Sequence, residues 1–516
     1  MPSPATFVLS GGAHTMADLV LVVDCGSTNI TAAAVDAEGR LVATANEPNG
    51  TVPQPGGDEG WRITDMDALW GRVTKATRAL CEQVGADAIR AVTVATWGAD
   101  GAPVKADGEL TYPVISWQCP RTRPVMRGLV ERIGAWRLFD ITGYQAISFN
   151  TIFKIAWLRQ HVPEALDRAG KWLMMAGLLS RRFTGEMSMD VTGASTMMML
   201  DLKGLSWSPE LLEAAGVGES FFPPLVYPGA VIGTVTAQAA AQTGLAAGTP
   251  VVASGHDTQF APVGSGATED EAVLSTGTWE IAMLRTAEPA TGDLAFEDGV
   301  LTEVDAVEGL YDPQLLMIGS AVLEWVRENL YPGISDRTKA YETMIAEARR
   351  VRPGCGGLMM LPSFVSDTGP YRKYGTGGTL VGLGLTTTRA HVYRAALEGL
   401  CFQLKEALRI LTQATGHAPG RLRVVGGGSK NDLWNQMRAD VCGLPVVVTE
   451  RRDATVVGAA VAAWVGAGRF ASMREGQAQV PVPSHAVEPS AEAGAYDALC
   501  ERHRGIAPAL KAFYEQ

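Results

Sequence analysis

A single aspartate beside a predicted strand end is the residue in this sequence best placed for acid–base chemistry. Asp257 follows the apolar run 250–253, which the pattern predicts to be a buried strand. Its carboxylate should therefore emerge at the strand end, where ligands of α/β sheets bind. A carboxylate in that position can accept the proton of an attacking hydroxyl group. The alternative is a structural role, because an aspartate after a strand is also typical of turns and helix N-caps.

Two loops rich in glycine and hydroxyl residues have the composition of phosphate-binding turns. The first, DCGSTN at 24–29, follows the apolar strand 18–23, and the second, STGT at 275–278, follows the strand 272–274. Glycine lets backbone N–H groups approach phosphate oxygens closely, and the hydroxyl groups add hydrogen bonds. Each loop alone also fits a plain hairpin. Because the same layout occurs in both halves of the chain, we predict a duplicated domain whose two copies face one nucleotide.

A third glycine-rich turn, GGGSKN at 426–431, connects a predicted strand, 422–425, to a predicted helix. The helix follows from Leu433, Met437 and Val441, which repeat every fourth residue. Such a turn lets the phosphate or adenosine of a nucleotide lie against backbone, although the same pattern is often only structural. Neither GxxxxGK[ST] nor GxGxxG occurs, which excludes the P-loop and typical dinucleotide-binding classes.

Further elements must position these loops. The apolar strand 91–96 leads into the loop TWGADG at 96–101. Apolar periodicity predicts three helices, over residues 150–161, 176–183 and 389–416. Thr388 is predicted to cap the start of the last helix, and Gly416 is predicted to end it.

Length, charge and cysteine content limit the classes of function. With 516 residues the chain exceeds the size of a single core, so two domains with a cleft are predicted. A formal charge of −12 with scattered basic residues argues against nucleic acid or a membrane surface as partner. The seven cysteines are widely spaced without a CxxC pair, which favours a reducing cytoplasm over a disulfide framework or a zinc site. No apolar run reaches the ~18 residues of a membrane span.

Four segments are predicted along the chain. Residues 1–15 lack basic residues ahead of their apolar patch and make a poor signal peptide, so we predict a disordered extension there. An N-terminal domain is predicted over 16–260, a C-terminal domain over 261–480 and a tail without a site over 481–516. A homodimer is the assembly we consider.

Six blocks of sequence, in a fixed order, resemble the FGGY carbohydrate kinases. They are DCGSTN (24–29), TWGADG (96–101), GHDTQFA (255–261), STGTWE (275–280), HVYRAALEG (391–399) and VGGGSKNDLWNQ (425–436). The resemblance covers about residues 18–470. It implies an α/β fold of two duplicated actin-like, ribonuclease-H-like domains around a nucleotide and sugar cleft. It also implies ATP as phosphoryl donor, Mg²⁺ as its metal and a small-molecule ketose as acceptor.

The functional residues of the family are transferred only to positions that match its motifs. Asp257 matches the general base, and Asp24 lies where the family keeps a carboxylate near magnesium. The residues implied at the sugar are Gly98, Asp100, Phe149, Asn150, His256 and Thr258. The residues implied at the nucleotide are Ser27, Thr28, Asn29 and Thr31 in the first loop, Gly277 and Thr278 in the second, and Gly427 and Gly428 in the third.

Several blocks narrow the resemblance within the family. SWQCPRT (116–122), SFNTIFKIAWL (148–158) and VLEWVR (322–327) are most similar to the members that phosphorylate L-fuculose. The resemblance thus implies transfer to the C1 hydroxyl of L-fuculose, with L-rhamnulose, L-ribulose and D-xylulose as alternative acceptors. Many relatives have W-x-D-x-R where this chain has WQCPR at 117–121, so any sugar contact from that aspartate is absent.

Two other classes of function fit parts of the sequence. An actin-like ATPase on the same fold would use Asp257 to position water. The blocks at 96–101 and 148–154 favour a kinase, because a plain ATPase needs no sugar loop. A sugar-sensing regulator would need a basic helix-turn-helix at one end of the chain, and neither end has one.

Overall fold

In the computed structural model, which describes residues 18–450 and 453–515, two mixed β-sheets form the centres of two α/β domains. The predicted extension over residues 1–15 lies outside the described residues. The first sheet contains β1 Leu19–Cys25, β2 Asn29–Val35, β3 Leu41–Pro48, β4 Ile89–Thr96, β5 Val231–Thr234 and β6 Pro250–Val252. The second contains β7 Glu271–Thr276, β8 Trp279–Met283, β9 Leu301–Val304, β10 Tyr311–Ile318, β11 Arg421–Val425, β12 Val446–Thr449 and β13 Ser484–Val487.

Helices surround both sheets, and short strands lie outside them. The helices are α1 Met66–Val84, α2 Arg123–Ile133, α3 Ala135–Thr142, α4 Thr151–His161, α5 Pro163–Asp167, α6 Met175–Thr184, α7 Val191–Ser195, α8 Pro209–Ala215, α9 Ala237–Thr243, α10 Phe260–Ser265, α11 Asp293–Asp298, α12 Ser320–Leu330, α13 Arg337–Ala348, α14 Arg389–Thr415, α15 Asp432–Cys442, α16 Ala454–Gly466, α17 Met473–Gln479, α18 Ala493–Arg504 and α19 Ile506–Tyr514. The short strands are Val52–Pro53, Arg62–Thr64, Gly101–Val104, Val114–Ile115, Lys171–Met174, Met189–Asp190, Leu200–Asp201, Ser206–Trp207, Leu225–Val226, Met359–Leu361 and Thr379–Val381. The helices predicted around residues 150–161, 176–183 and 389–416 are confirmed as α4, α6 and α14. Among the described residues, the helices are either too short or too polar to cross a lipid bilayer.

The two sheets repeat one strand order, which is the structural sign of a duplication. Read from one edge, the first sheet has the order β3-β2-β1-β4-β6-β5. In the matching positions the second sheet has β10-β8-β7-β11-β12-β13, with β9 added beyond β10. In each sheet the first strand, β1 or β7, pairs antiparallel with the next strand and parallel with β4 or β11. Strand β6 of the first sheet is parallel to β4, and strand β12 of the second sheet is parallel to β11. The predicted α/β fold of two duplicated actin-like, ribonuclease-H-like domains is confirmed.

Strand β1 is a continuous apolar run because helices cover both of its faces. Leu21 and Val23 belong to a buried cluster with residues of α1, whereas Val20 and Val22 belong to one with residues of α16. All four side chains are fully buried. Helix α16 comes late in the sequence, yet it packs directly on β1 and β4. The first domain is therefore completed by a helix from the far end of the chain.

Helices α10 and α16 cross in close backbone contact. A β-carbon added at Gly264 would lie 1.8 Å from the carbonyl oxygen of Ala454, and one added at Gly458 would lie 2.0 Å from that of Phe260. Only glycine leaves room for two backbones at this separation. Through this crossing α10, which follows the last strand of the first sheet, contacts α16, which covers that sheet.

Strand β9 forms a second junction between the two domains. The backbone N–H of Thr302 donates to the carbonyl of Gly143 at 2.7 Å, and the amide of Gln145 donates to the carbonyl of Val300 at 3.1 Å. On the neighbouring strand, the Tyr311 hydroxyl donates to the carbonyl of Leu202 at 3.1 Å. This edge of the second sheet therefore lies directly against the first domain.

The segment after residue 480 packs against the second domain. Strand β13 pairs antiparallel with β12 at the edge of the sheet. On α18, Tyr496 is fully buried and accepts a hydrogen bond from the Arg394 guanidinium at 3.0 Å. Residues 484–504, which fall in the predicted tail, thus take part in the second sheet and its helical layer.

Candidate active site

Strand ends of the first sheet converge beside Asp257. Strands β1 and β4 are parallel, and their register places Asp24 opposite Ala95. The next residue of β4, Thr96, forms a bridge to His256 on the segment that follows β6. Because the carboxyl ends of parallel strands share one edge of a sheet, the two aspartates lie along the same edge.

Asp257 begins a short 3₁₀ turn, Asp257–Gln259, and its side chain is partly exposed. Its Oδ1 accepts the backbone N–H of Thr258 at 2.7 Å and lies 3.5 Å from Nε2 of His256. Burial raises the pKa of the Asp257 carboxyl, and the charge of His256 opposes that rise. A carboxylate with a raised pKa and an accessible oxygen can act as a general base.

A carboxylate that the sequence analysis did not identify holds His256. Oε2 of Glu303 lies 3.0 Å from Nδ1 of His256, and the same side chain accepts hydrogen bonds from Tyr144 and Gln259. Burial lowers the pKa of His256, but the carboxylates of Glu303 and Asp257 outweigh it, so the pKa rises to about 9. His256 is therefore a cation at neutral pH. No local pattern marks Glu303, because it lies on an ordinary strand of the other domain and only the fold brings it here.

Two glycines let the backbone close around His256. A β-carbon at Gly255, where φ is 151°, would lie 2.0 Å from Oδ1 of Asp190. A β-carbon at Gly98 would lie 3.1 Å from the His256 ring and 2.9 Å from Cγ2 of Thr196. The structure thus brings the predicted sugar loop into contact with the residue next to the predicted base.

The Asp100 carboxylate is fully buried under the loop at 96–101. It pairs with Lys154 of α4, whose side chain is 1% exposed. Its Oδ2 accepts the indole N–H of Trp97 at 2.8 Å and the backbone N–H of Trp117 at 3.2 Å. The neighbouring Ala99 has φ of 64°, which is uncommon for a residue other than glycine. Asp100 therefore fixes the loop conformation, and its direct contact with a sugar stays a prediction.

Phe149 and Asn150 precede helix α4 and differ in exposure. Asn150 is fully buried: it accepts the backbone N–H of Ile147 at 3.0 Å and donates to the carbonyl of Thr196 at 2.9 Å. Phe149 is partly exposed and packs edge to face against Trp117, with ring centroids 6.5 Å apart. Phe149 therefore offers surface to a ligand, whereas Asn150 supports the turn behind it.

The first predicted phosphate loop forms the turn between β1 and β2. Ser27 is partly exposed, and Thr28 and Asn29 are exposed. The Asn29 amide and the Thr31 hydroxyl both donate to Oδ1 of Asn46 on β3, at 3.2 and 2.8 Å. The hydroxyl groups of Ser27 and Thr28 are thus open to a ligand, while Asn29 and Thr31 anchor the turn to β3.

The second and third glycine-rich loops lie in direct contact. A β-carbon at Gly428 would lie 2.2 Å from the hydroxyl of Thr276, and one at Gly426 would lie 2.5 Å from its carbonyl. Gly427 borders open space, and Thr278 is exposed. These loops end the parallel neighbours β7 and β11. Within the described residues, no hydrogen bond links them to the first loop, which lies on the other sheet.

Asp24 is the candidate ligand for a metal ion. Burial, together with the charges of Asp257 and Asp453, raises the pKa of its carboxyl to about 7. Each of these carboxylates disfavours ionisation of the others, and a bound cation would reduce this repulsion. The described residues contain no cluster of three or more His, Cys, Asp or Glu side chains that could hold a metal. Mg²⁺ commonly takes one or two carboxylates and completes its shell with water and phosphate oxygens, so Asp24 fits that ion.

Comparisons with known proteins point to one family for both domains. The model of the N-terminal domain of the FGGY family of carbohydrate kinases matches residues 19–264, and that of its C-terminal domain matches residues 272–467.

Individual relatives cover almost the same span. The L-fuculokinase of Escherichia coli K12 is 41% identical over 463 residues, 90% of this chain and 95% of that protein. The L-fuculokinase of Haemophilus influenzae is 35% identical over 89% of this chain and 97% of that protein. Among solved structures, xylulose kinase from Rhodospirillum rubrum has a TM-score of 0.86 at 25% identity and covers 96% of this chain and 100% of its own.

Proposed function

Because this chain belongs to the FGGY family of carbohydrate kinases, we propose that it transfers a phosphoryl group from ATP to the C1 hydroxyl of L-fuculose. Membership of the family makes the protein a sugar kinase. The choice of L-fuculose is supported by 41% identity to an L-fuculokinase over 90% of the chain. The observation that carries the chemistry is Asp257, a partly exposed carboxylate of raised pKa beside the predicted sugar loop.

In the proposed mechanism Asp257 accepts the proton of the C1 hydroxyl as the bond from oxygen to phosphorus forms. Its Oδ1 is engaged by Thr258 and faces His256. Its Oδ2 has no hydrogen-bond partner among the described residues and is available for the sugar. Phosphoryl transfer passes through a loose transition state, in which the protein mainly positions groups and stabilises charge. The base can therefore act late in the reaction.

Charge on the phosphoryl oxygens requires hydrogen-bond donors in fixed positions. We assign this role to the exposed turns, with the hydroxyl groups of Ser27 and Thr28 on one sheet and of Thr278 on the other. Gly427, which borders open space, would let the nucleotide approach the backbone of the third loop. When bound at Asp24, Mg²⁺ would supply neutralisation of phosphate charge.

The acceptor is tested by measuring sugar-dependent ADP release. With MgATP and a panel of L-fuculose, L-rhamnulose, L-ribulose, D-xylulose and glycerol, we expect the highest kcat/KM with L-fuculose. One methyl group in an apolar pocket contributes only ~1–3 kcal/mol, so slower turnover of related ketoses is also expected. Mass spectrometry of the product should show a sugar 1-phosphate. Preference for another ketose would overturn the choice of L-fuculose and keep the base and loops, whereas ADP release without dependence on sugar would contradict the kinase mechanism.

Asp24→Asn is expected to reduce turnover by about 100-fold or more and to stabilise the metal-free protein at pH 8. The folded carboxyl has a pKa near 7 against an ordinary value of 3.8. Since a raised carboxyl pKa favours the protonated form, folding free energy is lost as the pH rises from about 4 to 7. Asparagine carries an uncharged amide, so the variant does not lose this folding free energy. Thermal unfolding without Mg²⁺ should show a higher midpoint for the variant at pH 8 and a smaller difference at pH 5. A lower midpoint at pH 8 would contradict the assignment.

The state of the cysteines agrees with the cytoplasmic location that we propose. The cysteines at 25, 81, 119, 355, 401, 442 and 500 are free thiols in the structure. Cytosolic proteins usually keep their thiols reduced, whereas secreted proteins of this cysteine content more often form disulfides.

A further inference from the structure

The cluster around the base contains side chains from both domains. Glu303 lies on β9 of the second sheet, whereas His256 and Asp257 follow β6 of the first. The Glu303 side chain is 2% exposed, and both of its oxygens accept hydrogen bonds. Oε1 accepts the Tyr144 hydroxyl at 3.0 Å, and Oε2 lies 3.0 Å from Nδ1 of His256 and also accepts from Gln259.

We propose that Glu303 is a positioning residue for the kinase reaction: it holds His256 as a protonated imidazole in one orientation beside Asp257. The inference deepens the proposed function, because it rests on Asp257 being the general base. Glu303 does not touch Asp257 and is not a catalytic residue itself. Its effect on the reaction passes through the histidine ring.

The first argument is geometric. An imidazole with one nitrogen bound to a buried carboxylate cannot flip or rotate freely, so the opposite nitrogen has a fixed direction. Here the bond from Nδ1 to Glu303 leaves Nε2 at 3.5 Å from Oδ1 of Asp257. Protonation at both nitrogens makes Nε2–H a donor toward Oδ1. The unpartnered Oδ2 is then the oxygen left for the sugar proton.

The second argument is electrostatic. Charged groups face His256 from three elements: Glu303 on β9, Asp190 at the start of α7 and Asp257 on its own segment. The imidazolium lowers the pKa of Asp257 more than the charge of Glu303 raises it. The base therefore stays ionised to lower pH while Glu303 keeps the ring protonated. A lone Asp257 in the same partly buried place would be protonated more readily.

The third argument concerns where Glu303 comes from. The neighbouring Thr302 is hydrogen bonded to Gly143 across the junction of the domains, and Tyr144 bonds Glu303 itself. The carboxylate therefore reaches His256 only when β9 lies against the first domain. Correct placement of the base thus depends on the arrangement of both domains, as well as on the segment that carries Asp257.

The test is the protonation of His256 in Glu303→Gln, measured by the ring ¹H and ¹³C resonances over pH 5–10. The signal is assigned by its loss in His256→Asn. We expect the wild-type ring to titrate near pH 9 and its proton affinity to fall at least tenfold in the variant. The substitution is tolerable because Oε1 of Gln259 has no partner among the described residues and can accept from the new amide. In kinase assays, the acidic limb of the kcat profile should move to higher pH.

Tyr144→Phe is the matched control, since it removes a hydrogen bond from the same carboxylate and keeps the charge. We expect its His256 ring to remain protonated at pH 7.5 and its pH profile to stay in place. Equal effects of the two variants, or an unchanged titration in Glu303→Gln, would overturn the proposal. If Glu303→Gln does not fold, Glu303→Asp replaces it, because withdrawing the carboxylate by one methylene should also weaken proton binding, and an unchanged titration there overturns the proposal too. The titration needs no substrate, so a protein without sugar kinase activity would refute the proposed function separately.

Discussion

Asp257→Asn is expected to lower sugar-dependent turnover by about 10²–10⁴-fold, the usual contribution of a general base, while MgATP binding stays within a few-fold of the wild type. The two effects separate because the base and the phosphate loops lie on different segments. The base follows β6, whereas the second and third loops end β7 and β11 on the other sheet. Asparagine has the size of aspartate and keeps an acceptor for Thr258 N–H, so the local turn should persist.

Turnover would be measured by coupled ADP release with saturating sugar, and nucleotide binding by calorimetry. Asp87→Asn is a matched control, because Asp87 is an exposed carboxylate just before β4, at the opposite end of that strand from the site. We expect it to change neither quantity by more than about twofold. A comparable loss of turnover and MgATP affinity in Asp257→Asn would count against the role of base.

Gly264→Ala is expected to have the largest effect on stability. The added β-carbon would lie 1.8 Å from the carbonyl oxygen of Ala454 and 2.5 Å from the backbone nitrogen of Gly458. Neither neighbour is a side chain that can rotate away, so helices α10 and α16 must separate. Overpacking in a core ordinarily costs ~1–3 kcal/mol, and a clash with backbone should lie at or above the top of that range.

Urea unfolding followed by circular dichroism would measure this change in the free energy of unfolding. Gly71→Ala provides the control, since Gly71 lies inside α1 with nothing within 4 Å of an added β-carbon. At that position alanine should stabilise by ~0.5–1 kcal/mol, because it lowers the backbone entropy lost on forming a helix. If Gly264→Ala unfolds at the wild-type urea concentration, the close crossing of α10 and α16 is not as the structure places it.

Local patterns in the sequence were sufficient to predict the elements that carry the site. The continuous apolar run of β1 and the period of α14 identify these elements directly, since each reflects burial on a strand or along a helix face. Thr388 and Gly416 bound α14 as predicted: Thr388 caps its first turn, and Gly416 has φ of 71°. The family's six blocks added the assignment of Asp257, which strand pattern alone left open between base and turn former.

Those patterns did not predict contacts between segments that are distant in the sequence. Glu303 is one acidic residue on a short strand, and its role depends on the docking of β9 against Tyr144. The burial of Asp100 follows from a partner, Lys154, which the sequence places between apolar residues of α4. Periodicity describes which side of an element is buried, but it does not say which element covers it.

The packing of α16 on β1 and β4 also sets an order of events during protein synthesis. The last strand of the first sheet, β6, and Gly264 leave the ribosome about 200 residues before the end of the helix that covers one face of that sheet. At a synthesis rate of roughly 5–20 residues per second, this stretch takes about 10–40 s to make, and the face of the sheet stays uncovered during that time. Through this interval the nascent chain exposes the apolar surface around Val20 and Val22. Translation speed between the two halves, and chaperones that bind apolar segments, should therefore influence the yield of native protein.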